Sequence, residues 1–181
     1  MKCLILNGNP APSGFDAWIE GFAADMEGGG AAASIRILRD EKIGYCTGCW
    51  SCWLKTPGRC AIKDGMEGIL REAVRADLVV YASPLILGAT SALVKKVQDR
   101  MIPLVHPYIE IVGGECHHRR RYPRTPDLGL IVEPGRDDGQ RDLDIVRTMH
   151  ERLAMNMRSR FRLFATTASA GKEAAHEAIS A

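Results

Sequence analysis

Short apolar runs alternate with longer amphipathic stretches along this chain, and that alternation restricts its fold more than any other feature. Cys3 to Leu6 reads as a first buried strand. Ser34 to Leu38 reads as a second, with Ile35 and Ile37 alternating against Arg36. Ala76 to Ala82 is almost continuously apolar, as a strand covered on both faces should be. Leu128 to Val132 and Phe161 to Ala165 complete the set. Between the strands, Phe15 to Met26 carries Phe15, Trp18, Ile19 and Phe22 at helical spacing and ends at Gly28-Gly29-Gly30. Asp64 is the expected N-cap of a helix bearing Met66, Ile69, Leu70, Ala73 and Val74. Ser91 to Met101, Leu143 to Met157 and Ala174 to Ile179 supply the remaining helices.

Strands separated by helices form βαβ units, and βαβ units form a parallel sheet. The expected fold is therefore α/β: a flavodoxin-like, doubly wound, parallel five-stranded sheet in the order 2-1-3-4-5, with helices on both faces. A Rossmann dehydrogenase is the competing topology. It calls for G-x-G-x-x-G after the first strand, and here Pro10 occupies the second glycine position. No Gly-Lys-Ser/Thr completes a Walker loop either. At 181 residues the expectation is one domain over 1–181, with a cysteine-rich loop at 44–63 and an insertion at 103–126.

That loop carries the chemistry. Cys46, Cys49 and Cys52 are spaced two residues apart, and Cys60 follows after a gap holding Pro57 and Gly58. Soft sulfur ligands select zinc, cuprous copper or iron–sulfur clusters, and four cysteines are the usual cage of a [4Fe–4S] centre. Zinc ribbons use two separate C-x2-C knuckles, a layout this chain does not have. Gly48 helps the segment close tightly, and Trp50 and Trp53 either shield the sulfurs or pack into the core. The same residues suit plain reduced thiols, or a non-enzymatic zinc or thiol sensor.

Three loops gather at the carboxyl edge of such a sheet, where ligands bind. The first runs from Asn7 to Asp16 and meets a helix N-terminus, a favourable seat for phosphate, with Asn9, Ser13, Gly14 and Phe15 as candidates. The second is Ser83-Pro84-Leu85-Ile86-Leu87-Gly88-Ala89-Thr90-Ser91; its apolar residues offer a wall to a flat ring, and Gly88 permits close backbone approach. The third, Glu133 to Gly139, includes Glu133 and Gly135 and would close the pocket. Equally, these are ordinary strand-to-helix turns. In the insertion, Cys116, His117 and His118 precede Arg119, Arg120 and Arg121, and a solvated basic loop or an interface is expected there rather than a metal site.

In order along the chain, Asn7-Gly-Asn-Pro10, the C-x2-C-x2-C-x7-C run, Ala76-Asp-Leu-Val-Val-Tyr-Ala-Ser-Pro84 and Leu93-Val-Lys-Lys-Val-Gln-Asp-Arg100 resemble the flavodoxin-like NADPH-dependent FMN reductase family, in its iron–sulfur flavoprotein branch. The resemblance covers about residues 1–101 well and the remainder as fold only. It implies FMN, with the phosphate in the first loop, the isoalloxazine along Ser83–Ser91 and the third loop on the other side of the ring. It also implies a [4Fe–4S] cluster on the four cysteines and NAD(P)H as co-substrate. Asn9 stands where the family usually has serine, Asp16 puts a negative charge beside the expected phosphate, and Ile86 stands where an aromatic is common.

The expected function is an FMN oxidoreductase that takes hydride from NAD(P)H and passes electrons to a small acceptor, with binding residues rather than a side-chain acid or base. An electron carrier exchanging electrons with ferredoxin is the alternative. Net charge is +2, so no global field calls for nucleic acid. No apolar run reaches the roughly 18 residues of a membrane span. The N-terminus turns polar at Asn7, too early for a signal peptide, and six cysteines suit a reducing compartment, so cytoplasm is expected. A stripe of Met149, Leu153 and Met157, with the insertion as an arm, suggests a homodimer or homotetramer.

Overall fold

The computed structural model describes residues 1–180. Its elements follow the alternation. Strand β1 (Lys2–Asn7) leads to helix α1 (Gly14–Gly28) and strand β2 (Ala32–Ile37). The cysteine segment carries a single helical turn, α2 (Ser51–Leu54), where a plain loop is expected from sequence. Helix α3 (Met66–Arg75) precedes β3 (Leu78–Ile86), β4 (Ala89–Thr90) and α4 (Ala92–Asp99). A short 3-10 turn opens the hairpin β5 (Val105–Val112) and β6 (Glu115–Arg120). The chain finishes through β7 (Asp127–Glu133), α5 (Gln140–Asn156), β8 (Phe161–Thr166) and α6 (Gly171–Ser180).

The parallel strands run β2-β1-β3-β7-β8, the doubly wound order expected. Two apolar layers lie on opposite faces of the sheet. Leu4, Leu6, Val79, Tyr81, Leu130 and Val132 point toward α3, α4 and α5, while Ile5, Leu78, Val80, Ala82 and Ile131 pack with Phe15, Ile19, Phe22 and Met26 of α1 and with α6. Burial on both faces explains the unbroken apolar run of β3.

Several local expectations change. Asp64 does not occupy the N-cap position of α3, which is Gly65; its Oδ1 still accepts from the Met66 N–H at 3.1 Å, while Oδ2 turns to Gly44 and Arg100. On α5 the buried face is Val146, His150 and Ala154, and Met149 is 55% exposed, so the methionine stripe is only partly core. The 103–126 insertion is an antiparallel hairpin, not a loose basic loop. Strand alternation sends Cys116 outward and buries His117, whose Nδ1 lies 3.0 Å from Asn156 Oδ1, while the His118 ring packs 5.1 Å from Trp53. No helix among the described residues is long and apolar enough to cross a membrane.

Candidate functional site

The first two loops are locked together before any ligand is considered. Ser91, N-cap of α4, donates its hydroxyl to the Gly8 carbonyl at 2.6 Å and accepts from Val94 N. Ser83 Oγ accepts from Ser91 N at 2.8 Å and donates to the Pro84 carbonyl at 2.7 Å. Gly8 sits so close to α4 that a β-carbon there would lie 2.3 Å from Val94 Cγ2. A side chain there would force Val94 or the crossing itself to shift.

The Ser83–Ser91 segment is a continuation of β3 rather than a loop. Leu85 and Ile86 pair with Thr90 and Ala89 of β4, and Leu87-Gly88 make the turn, with φ of 53° and 73°. Two successive positive φ values suit a tight hairpin whose twist matches its strands. Glycine adopts that region freely, but Leu87 is strained by roughly 1 kcal/mol or more. Leu85 is buried, Ile86 is half exposed, and the Leu87 side chain is fully exposed at the tip. A strained, solvated leucine at the carboxyl edge is a ready apolar surface for a planar ring.

The first loop is organised differently from the expectation. Asn9 and Ser13 do not present free donors. Asn9 Nδ2 donates to Ser13 Oγ at 3.0 Å and to Asp16 Oδ2 at 2.9 Å, and Ser13 Oγ accepts from Phe15 N. Ser13 and Asp16 form a capping box at the head of α1. Phe15 is fully buried in the core, so it shapes the loop from beneath. Arg39, just after β2, reaches across to Asp16 Oδ1 at 2.8 Å. Burial opposes ionisation of Asp16, yet hydrogen bonds from Arg39, the Ser13 backbone and Asn7 outweigh it and hold its carboxyl at about 2.

The third loop faces the first. Burial, and then the charge of Asp16, push the Glu133 carboxyl above its ordinary range. Gly135 N donates to Asp138 Oδ2 at 2.7 Å, closing a small turn within that loop. The hairpin side of this edge is apolar, whereas the first loop, as folded, already holds a carboxylate.

The four cysteines come together in one cleft, lined also by Trp50, Ile62, Arg100, Ile102 and Pro103. The local folding is legible residue by residue. Gly48 and Gly58 take φ of 63° and 81°, and Gly58 N returns to the Cys52 carbonyl at 3.0 Å, which brings Cys60 back toward Cys52. Trp50, itself at φ 57°, stacks on Trp53 at 4.9 Å; the Trp53 indole donates to the carbonyls of Ile102 and Val105. Burial raises the Cys52 thiol, and the neighbouring sulfurs of Cys60, Cys46 and Cys49 raise it further. Hydrogen bonds from Ser51 and Thr47 draw the exposed Cys49 thiol down to about 7. Among the described residues no three His, Cys, Asp or Glu side chains are arranged to hold a single metal ion. Four cysteine thiols are the donor set that iron–sulfur cores take.

Sequence reasoning missed Arg39, Arg100 and Asp142. Asp142 lies 3.3 Å from where a β-carbon of Gly88 would stand, at the hairpin tip. Nothing in their local pattern marks them, because each acts across more than twenty positions of chain.

No family model matches the chain. It is 31% identical over 107 residues to an iron–sulfur flavoprotein of Archaeoglobus fulgidus, an alignment covering 59% of this chain and 48% of that protein. It is 34% identical over 106 residues to an iron–sulfur flavoprotein of Methanocaldococcus jannaschii, covering 58% and 53%. The matched region thus spans about half the length of these curated relatives. Among solved structures, an NAD(P)H:quinone oxidoreductase from Methanothermobacter marburgensis superposes with a TM-score of 0.68 at 13% identity, covering 98% of this chain and 95% of that one. An FMN-dependent NADH-azoreductase from Bacillus anthracis, in complex with FMN, gives 0.68 at 14% identity, covering 99% and 98%. At those identities the structures speak for the fold alone. The chain is a flavodoxin-like α/β protein whose sequence relatives are iron–sulfur flavoproteins.

Proposed function

We propose that the chain is a flavin-dependent oxidoreductase, built on one flavodoxin-like domain, that accepts hydride from NAD(P)H and passes electrons to a small acceptor or redox protein. Cys46, Cys49, Cys52 and Cys60 hold a [4Fe–4S] cluster in this reading. The observation that carries it is the convergence of those four cysteines on one cleft, in a fold whose solved neighbours include an FMN-dependent reductase. FMN is the flavin those neighbours suggest.

A bound flavin supplies the hydride-accepting chemistry, and the protein supplies position and electrostatics. Ile86 and Leu87 give the ring an apolar wall, which the tight turn presents at the edge of the sheet. Ser83 and Ser91 fix the base of the hairpin to the first loop. Glu133, raised by burial and by Asp16, holds its proton to higher pH than an ordinary carboxyl does. Helix α4 joins the two centres: Ser91 at its head belongs to the hairpin, and Arg100 at its tail lines the cysteine cleft. Its eight residues span about 12 Å.

Steady-state oxidation of NADPH and NADH by flavin-loaded protein tests the reading. Consumption of either, with quinone or free flavin as acceptor, supports it. The exposed Cys46 and Cys49 favour one second reading, an electron carrier that docks a ferredoxin-like partner at the cleft. That reading predicts no nucleotide oxidation together with reduction of the flavin by reduced ferredoxin. A colourless protein that binds zinc and no flavin would defeat both. A cytoplasmic homodimer or homotetramer is part of the proposal, with Met149, Ile145 and the exposed Tyr108 and Ile111 of the hairpin as contact surface.

A further inference from the structure

The carboxylate of Asp16 occupies a built anion seat. Asn7 Nδ2 donates to its Oδ1 at 2.7 Å and Arg39 Nη1 at 2.8 Å, while Asn9 Nδ2 and the Ser13 backbone N–H each donate to its Oδ2 at 2.9 Å. The two asparagines are 2% and 4% exposed, so their amides are committed groups of the interior and not surface donors that happen to meet an acid. The donors come from the end of β1, the loop itself and the residues after β2, and they converge where the head of α1 also favours negative charge.

Little is left for a second anion. Pro10 and Pro12 have no N–H. Gly8 N donates to the Ala82 carbonyl, Asn9 N to Asn7 Oδ1, and Phe15 N to Ser13 Oγ, leaving Ala11 and Gly14 as the loop's remaining backbone donors. Glu133 adds a second carboxyl opposite Asp16. A phosphate entering the seat would meet an ionised carboxylate already paired with Arg39, and two anions sharing one part-buried seat repel.

We propose that Asp16 is an internal substitute for a phosphate, closing the first loop to phosphoryl ligands, so that this chain binds a phosphate-free flavin at least as well as FMN. The inference rests on the flavin reading above for its ligand, but the closed seat stands on geometry alone. Asp16 is thereby a specificity-determining residue: it decides whether the tail of the flavin is anchored by charge or left to the ribityl hydroxyls and the ring.

Fluorescence titration of the full chain with riboflavin and with FMN is the direct test. Wild type is expected to bind riboflavin as tightly as FMN or more so. Asp16→Asn keeps an acceptor for the capping box while freeing Arg39, and should shift the FMN-to-riboflavin affinity ratio toward FMN by about tenfold or more. Asp16→Thr, which removes the carboxylate and leaves a hydroxyl at the same position of the first turn, should shift it in the same direction. As a flavin-independent arm, millimolar inorganic phosphate at matched ionic strength should raise the melting temperature of Asp16→Asn and leave wild type unmoved. A wild-type preference for FMN of about tenfold or more overturns the inference and leaves the flavin reading intact. Variants with an unchanged ratio, or phosphate stabilising wild type and variant alike, overturn it too. If neither flavin binds either protein, the flavin reading fails, the preference fails with it, and the phosphate arm decides whether the seat is closed.

Discussion

Arg100 is 1% exposed, and its Nη2 donates to the Cys60 sulfur at 3.3 Å. The same guanidinium pairs with Asp64 at 2.5 Å and donates to the carbonyls of Gly44 and Ile62. One buried cation therefore ties both ends of the cysteine segment to the tail of α4. Removing it by Arg100→Met would leave the Asp64 carboxylate without its cation and should cost about 3–5 kcal/mol in urea unfolding. Arg100→Lys keeps the charge but loses the fork, and should fall between the two. An Arg100→Met protein as stable as wild type would show that the pair is not what holds the loop.

Iron content checks the cysteine cleft. Anaerobically prepared protein should be brown and carry about four iron and four sulfide per chain. Cys52→Ala should remove the iron and spare flavin binding, because Cys52 lies in α2 while the proposed flavin edge is built on β1, β3 and β7. Loss of both groups from this variant would point to a collapsed fold or a shared site.

The pH dependence of stability carries the signature of Asp16. Its folded pKa, about 2, lies below its ordinary 3.8, so the ionised form is the one the fold favours. The stability it contributes is complete above about pH 5 and is lost as pH falls through 4 toward 2, an amount of about 2 kcal/mol. Asp64 and Asp77 are also held low, so the comparison must be with Asp16→Asn. The difference in unfolding free energy between wild type and that variant should shrink over this window; a constant difference would refute the pairing.

Leu87→Gly separates strain from ligand contact. Glycine accepts the 53° φ without cost, so the melting temperature should hold or rise, by an amount corresponding to about 1 kcal/mol or less. The apolar wall is lost at the same time, so flavin should bind more weakly. A variant that binds flavin as tightly as wild type would place the ring elsewhere.

Gly8→Ala tests the crossing of β1 and α4. With Val94 Cγ2 2.3 Å from the new β-carbon and the Ala82 carbonyl oxygen 3.2 Å away, the two elements must separate. The expected cost is about 1–3 kcal/mol, which thermal unfolding will report as a fall of several degrees.

Much of this protein is written locally. Leu78 to Ala82 must be a buried strand because every side chain in it is apolar, and Phe15, Ile19, Phe22 and Met26 must face one side of a helix because of their spacing. The parallel sheet and its order follow from alternation and connection length, and the cysteine spacing, with Gly48 and Gly58, announces a tight sulfur-lined loop. These are short-range properties, set by period and turn chemistry. What the sequence could not display was the partner of each polar side chain. Asn9 and Ser13 look like ligand donors until Asp16 is seen to take them, and His117 looks solvated until hairpin register turns it inward. Arg39 reaches back 23 residues to Asp16, and Arg100 reaches back 40 to Cys60. Only the tertiary structure decides such pairings, because the energy of a charge or an amide depends on what lies within a few ångströms of it, and chain distance says nothing about that.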